Sequence, residues 1–81
     1  MGADPDRLIA LLEGMVSQQS AKVKALARRL APQATDEDLL NPHDIPLLAN
    51  DMHFNYEDGH LNGLQSAVMA LRAERYGATE I

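Results

Sequence analysis

Three side chains in the C-terminal third of the chain are of the types that bind a metal ion. Glu57 and His60 are three positions apart, and His53 precedes Glu57 by four. On an α-helix, residues at such spacings lie on one face, so their side chains would converge. Carboxylate oxygens and imidazole nitrogens are ligands for zinc and iron. Glu57, His60 and His53 are therefore a candidate iron or zinc site, as the alternative to a protein without a cofactor.

The Glu-x-x-His spacing of Glu57 and His60 resembles that of the ferritin-like di-iron carboxylate proteins. In that family two helices each supply Glu-x-x-His and two others each supply one Glu. The resemblance implies that a dimer of a two-helix chain would assemble four such helices. The further Glu would be Glu13, roughly 100° from the centre of its helix face. In the structural alternative, Glu57 complements the helix dipole and His60 is half-buried and hydrogen-bonded.

Other catalytic patterns are scarce. The chain contains no cysteine, which excludes disulfides, Cys-ligated zinc, iron–sulfur clusters and thiol chemistry. It has no Gly-rich phosphate loop, nucleophile elbow or His-Glu-x-x-His motif. Carboxylates near a histidine support acid–base chemistry, but caps and turns account for most of them. The groups concerned are Asp44, Asp51, His53 and Asp58. We therefore expect a non-enzymatic protein.

Two long helices are predicted to position these groups. Asp4 followed by Pro5 is typical of a helix start, since the carboxylate accepts hydrogen bonds from N–H groups and proline fits the first turn. Pro32 cannot continue a helix. We therefore predict a first helix over about residues 5–31.

The first helix carries a stripe of side chains that recur every three or four residues. Its members are Leu8, Leu12, Met15, Gln19, Val23, Leu26 and Leu30. At about 100° per residue they stay on one face, and Gln19 is the only polar member. An alternative divides the helix near residues 17–20, where a serine could cap a second segment. The uninterrupted phase of the stripe favours one continuous helix.

The connection mixes turn residues with short apolar pairs. The Thr-Asp-Glu-Asp sequence at residues 35–38 predicts a capped helical turn. Pro42 and Pro46 predict two further short helical turns. The apolar side chains of this region that need burial are Leu39, Leu40, Ile45, Leu47, Leu48, Met52 and Phe54.

The last helix is predicted to begin between Phe54 and Asp58, with Asn55 or Asp58 as its cap. It is expected to end near Tyr76, with Gly77 as the terminator. Its apolar stripe consists of Leu61, Leu64, Ala67, Val68 and Leu71.

The composition indicates one small domain that needs a partner. Of 81 residues 46% are hydrophobic, but twelve are alanine and 4% are aromatic, which gives a thin core. We predict an all-α antiparallel helical hairpin over residues 1–81, with residues 1–4 and 78–81 frayed, that dimerises into a four-helix bundle. Gln19 would meet a polar partner at the dimer centre and set the register. The predicted interface is Leu8, Leu12, Met15, Gln19, Val23, Leu26, Leu30, Leu61, Leu64, Val68 and Leu71.

The leading functional prediction is a homo-oligomeric protein–protein interaction module, an adaptor or regulator. A cytoplasmic location is expected, because no apolar run approaches about 20 residues and the N-terminus lacks the features of a signal peptide.

The charges are segregated: residues 21–31 carry no acid, and residues 35–60 carry no Lys or Arg. Basic residues at the end of one helix and acidic residues at the start of the next each complement a helix dipole, which accounts for this arrangement. Nucleic-acid binding through Lys22, Lys24, Arg28 and Arg29 is the weaker alternative, since the cluster lacks aromatic residues.

Overall fold

The computed structural model describes residues 4–77, and every regular element among them is helical. Two 26-residue helices, α1 (Pro5–Leu30) and α3 (Met52–Gly77), flank a connection. The connection contains two 3₁₀ turns, Asp38–Leu40 and Pro42–Asp44, and the short helix α2 (Pro46–Ala49). The prediction of an all-α chain with two long helices joined by short turns is confirmed.

Helix α1 has the predicted bounds. The Asp4 carboxylate accepts a hydrogen bond from the Asp6 amide at 3.0 Å, with Pro5 as the first helical residue. The helix ends just before Pro32 and is continuous through residues 17–20, so the alternative with a break there is wrong. Asp4 is therefore ordered as a cap rather than frayed, and the fraying expected for residues 1–3 and 78–81 lies outside the described part of the chain.

The first turn of the connection is held by a reciprocal pair of hydrogen bonds. The Thr35 amide donates to Asp38 Oδ2 at 3.0 Å, and the Asp38 amide donates to Thr35 Oγ1 at 3.1 Å. This satisfies backbone donors that the short turn leaves unpaired, as the capping pattern predicts. The two proline starts are also confirmed, at Pro42 and Pro46.

Helix α3 begins earlier than predicted, at Met52. The Asp51 carboxylate accepts a hydrogen bond from the Phe54 amide at 2.7 Å, which is the geometry of an N-terminal cap. The predicted caps are engaged elsewhere. Asn55 donates its side-chain amide to the Ala49 carbonyl at 2.9 Å, and the Asp58 carboxylate faces His43 at 3.6 Å.

The main core lies where the connection packs over α1 and α3. Its buried members are Val23, Leu26, Ala27, Ala31, Leu48 and Phe54. Leu39 and Ile45 are partly buried against it, whereas Leu40, Leu47 and Met52 remain exposed. Each turn of the connection is only three or four residues long, so only the side chains on one of its sides can pack against α1 and α3. The expected burial of the connection's apolar side chains is therefore only partly met.

Helices α1 and α3 run antiparallel, so the start of α1 lies beside the end of α3. Glu13 and Asp6 of α1 form ion pairs with Arg72 and Arg75 of α3, respectively. We call the part of the hairpin formed by residues 5–16 and 64–77 the open end. The part formed by residues 23–61 is the connection end. The open end has two helices and no third layer among the described residues.

Candidate functional site

A buried polar cluster around Glu57 joins the two long helices. Glu57 is 4% exposed, although it is charged. The Gln19 side-chain amide of α1 donates to the Glu57 carbonyl oxygen at 2.9 Å and to Glu57 Oε1 at 3.1 Å. Lys22 Nζ lies 2.6 Å from Glu57 Oε2, and His53 Nε2 lies 3.6 Å from the same oxygen.

The cluster stabilises the ionised form of Glu57. The Lys22 ammonium, followed by the Gln19 amide, holds the pKa of the Glu57 carboxyl below its ordinary value. Burial opposes this effect by disfavouring the charged form, but it does not reverse it. A buried carboxylate without such partners would be strongly destabilising. The contacts of Gln19 and Lys22 therefore explain how Glu57 can occupy the inner face of α3.

The polar stripe member Gln19 finds its partner within its own chain. Both hydrogen bonds of its amide group go to Glu57, so no second copy is needed to satisfy these donors. The predicted role of Gln19 in setting a dimer register is replaced by a role in aligning α1 with α3. Glu57 is also not a residue of the first helical turn, because α3 begins five residues before it. The interpretation of Glu57 as a dipole-complementing residue is therefore wrong.

The three candidate metal ligands do not converge. Glu57 and His53 are neighbours, but His60 is exposed. Residues three apart differ by about 60° around a helix. Here that rotation takes His60 from the inner face, where Glu57 lies, to the solvent. Within residues 4–77 no three His, Cys, Asp or Glu side chains form a group that could hold a metal ion. Iron or zinc binding stays a prediction, and no further observation favours it.

The predicted interface divides into three groups by burial and position. Gln19, Val23, Leu26 and Val68 are buried inside the hairpin, where the two stripes face each other. Leu30 and Leu61 are partly buried against the core. The remaining five, all at the open end, are half-buried or exposed: Leu8, Leu12, Met15, Leu64 and Leu71. These five remain accessible at the open end, whereas Leu30 and Leu61 pack against the core.

The accessible members share one side of the open end, and Leu11 joins them. Leu11 is 63% exposed and Met15 is 41% exposed. Glu57, Leu64 and Leu71 follow one another at intervals of seven residues, as do Leu8, Met15 and Lys22. Seven residues are nearly two turns, so these residues continue the side on which Lys22 meets Glu57. We call Leu8, Leu11, Leu12, Met15, Leu64 and Leu71 the apolar face.

The opposite side of the hairpin carries a groove. Its lining includes Glu13 and Ser17 of α1 with Gln65 and Met69 of α3. Residues two apart differ by about 200° around a helix. Leu11 and Met15 are each two residues from Glu13, and Leu71 is two residues from Met69, so the groove and the apolar face lie on different sides.

Three features of these surfaces were not predicted from the sequence. The pairing of Gln19 with Glu57 has a signal, because each is a polar member of an apolar stripe and the two stripes must face each other. Lys22 is three residues from Gln19 and therefore within reach of the same partner. Leu11 has no comparable signal, since its exposure depends on how far α3 covers α1.

Comparisons with known proteins add no family. No protein-family model, curated protein or solved structure matches this chain. Within the described residues, no helix has an apolar stretch long enough to cross a lipid bilayer.

Proposed function

We propose that this chain is a non-enzymatic protein–protein interaction module that acts as a homodimer through the apolar face. The observation that supports this most directly is the uneven burial of the hairpin. Among the hydrophobic side chains that the structure describes at the open end, only Ile9 and Val68 are buried, while Leu8, Leu11 and Met15 stay exposed. Exposed apolar patches of this kind are typical of interaction sites.

The total surface of the chain supports the same proposal. A compact monomer of 8.9 kDa has an accessible surface of about 4,800 Å². The chain exposes 6099 Å², which is about a quarter more. A standard interface buries about 800 Å² per partner, so one such contact would remove much of the excess.

A second copy of the chain is the partner that fits this face. A twofold axis brings identical patches together, and two hairpins paired in this way form a four-helix bundle. The Glu13–Arg72 ion pair involves residues of the groove, so it does not place a charged pair in the middle of the apolar face. The six residues of the apolar face are all uncharged.

Sedimentation equilibrium at tens of micromolar protein tests the proposal. We expect the wild-type chain to have about twice its monomer mass of 8.9 kDa. Met15→Lys should yield a monomer, because it places a charge in the middle of the apolar face. Met52→Lys is the matched control, since Met52 is 87% exposed and belongs to the connection end.

Circular dichroism on the same samples separates loss of association from loss of folding. Met15→Lys and Met52→Lys should both keep the helical content of the wild type, since both side chains are exposed. A wild-type chain that remains monomeric and folded contradicts the proposal. A Met15→Lys variant that still dimerises would place the interface elsewhere.

A further inference from the structure

The groove opposite the apolar face extends along most of the hairpin. Its part at the open end has a volume of about 720 Å³ and includes Val16, Val68 and Met69. A second part of about 430 Å³ lies beside Leu39 and Leu40 at the connection end. The two parts share Ser20, Lys24 and Gln65. They therefore form one continuous surface between α1 and α3.

Within residues 4–77, two ion pairs and one His–Asp contact lie along this groove, and Lys24 takes part in none of them. Glu13 pairs with Arg72, Arg28 pairs with Asp36 at 2.5 Å, and Asp58 faces His43 at 3.6 Å. The Asp58 side chain is 16% exposed and lines the second part of the groove together with His43. Lys24 lines both parts of the groove and the hollow beside Leu40, and within residues 4–77 it forms no ion pair.

The ends of the groove carry exposed apolar side chains on either side of Lys24. Met69 is 67% exposed at the open end, and Leu40 is also exposed at the connection end. Along α1 the lining runs from Glu13 to Arg28, which corresponds to about 22 Å or four helical turns. Apolar contacts at both ends with a polar centre match one face of an amphipathic helix.

We propose that the groove binds an amphipathic helix of another protein, with a carboxylate of that helix paired to Lys24. A helix fits better than an added strand, because both walls of the groove are helices whose backbone groups are already hydrogen-bonded. The apolar side chains of the bound helix contact Met69 and Leu40, and its central acidic residue pairs with Lys24. This site lies away from the apolar face and goes beyond the proposed homodimer.

The two surfaces together would make a bivalent adaptor. A dimer formed through the apolar face keeps both grooves accessible, one on each outer side. Two bound helices would then be held at a fixed separation. Binding in the groove does not require the dimer, so a monomeric variant is expected to bind with the same affinity per chain.

Selection from a displayed library of helical peptides of about 16 residues tests the proposal. The full-length wild-type chain and the Met15→Lys variant serve as targets, so that binding is separated from self-association. We expect both targets to select peptides with an apolar face and a central Asp or Glu. Fluorescence anisotropy of one selected peptide then gives its affinity for each variant.

Two substitutions locate the peptide. Lys24→Glu should weaken binding by about 3- to 10-fold, because attraction becomes repulsion at a solvent-exposed pair. A peptide with Lys in place of its central acid should recover affinity for Lys24→Glu. Met69→Lys should weaken binding by about tenfold through the lost apolar contact, while the matched control Met52→Lys leaves it unchanged.

Four outcomes would overturn the proposal. The first is that no helical peptide is selected, or that the selected peptides lack the acidic residue. The second is that binding does not respond to Lys24→Glu and Met69→Lys. The third is that Met69→Lys dissociates the homodimer, which would make the groove a contact between two copies of this chain. The fourth is loss of peptide binding in Met15→Lys alone, which would assign the peptide to the apolar face.

Discussion

The connection end and the open end are built from the same two helices but differ in burial. At the connection end α2 and the 3₁₀ turns cover α1 and α3, and Leu48 and Phe54 become the most buried large side chains. At the open end no other element of residues 4–77 covers the pair, and Leu11 and Met15 remain accessible. Two helices bury only the sides that face each other, so a third layer decides which apolar residues become core.

The largest expected effect is the loss of Phe54 from the connection end. Phe54→Ala should lower the free energy of unfolding by about 3–5 kcal/mol, because it leaves a cavity in the best-packed part of the chain. At the open end Ile9→Ala should cost about 2 kcal/mol, near the lower limit for such substitutions, since its surroundings can relax. Urea denaturation at one protein concentration measures both. Equal losses would show that the two ends are packed equally well.

The next largest effect is a dependence of folding stability on pH, caused by the Glu57 cluster. This cluster lies nearer the connection than Leu64 does. Because the folded state lowers the pKa of Glu57, it binds fewer protons there than the unfolded state. The stabilisation is therefore present above pH 4.5 and is lost as the pH falls through the lowered pKa. In Glu57→Gln this part of the pH dependence should disappear.

Urea denaturation from neutral pH to below pH 4.5 measures this difference between Glu57→Gln and the wild type. Glu74→Gln is the control, because it makes the same chemical change at an exposed position of α3. An unchanged pH dependence in Glu57→Gln would show that the cluster does not hold the ionised carboxylate.

A smaller effect is expected from filling the helix glycines. A methyl group added at Gly14, Gly59 or Gly63 would meet nothing within 4 Å. Each substitution to Ala should therefore raise the free energy of unfolding by about 0.8–1 kcal/mol, through helix propensity alone. Thermal unfolding of dilute samples measures the gain at both ends. A gain at Gly59 that is absent at Gly14 would show that another molecule covers the open end of α1.

The smallest effect is expected from the exposed ion pairs. Arg72→Ala at the open end and Arg28→Ala at the connection end should each cost less than about 1 kcal/mol, because exposed pairs gain little in water. A double-mutant cycle of Glu13 with Arg72 measures the pair directly. A coupling well above this value would mean that ion pairing, rather than apolar contact, holds the open end together.

Local signals in the sequence predicted most of the fold. Asp4, Pro5 and Pro32 fix both ends of α1 through hydrogen-bonding and ring geometry, which need no tertiary contact. The start of α3 could not be predicted in this way, because several possible caps lie close together. Asp51 is the cap because Asn55 contacts Ala49 and Asp58 faces His43, and both contacts depend on how the connection folds.

The candidate site was only partly predictable for a related reason. Glu57 lies on the inner face of α3 and His60 is exposed, and this difference depends on a rotation of about 60° around the helix that only packing determines. The partner of Gln19 was expected on a second chain, whereas Glu57 supplies it within the hairpin. The number of layers above each helix segment is a tertiary property, and it determines which stripe residues remain accessible.

From the position of the core near the connection we also predict the order in which the hairpin closes. Residues of the core such as Ala27 and Leu48 are close along the chain, whereas Glu13 and Arg72 are 59 residues apart. The entropic cost of closing a loop rises with the number of residues between its ends. We therefore expect contacts near the connection to form first and the contacts between the helices to form progressively towards the open end. Pulsed hydrogen exchange during refolding should show amide protection around residues 48–54 before residues 8–16. We therefore expect the distal halves of both helices to become ordered last during folding and to unfold first.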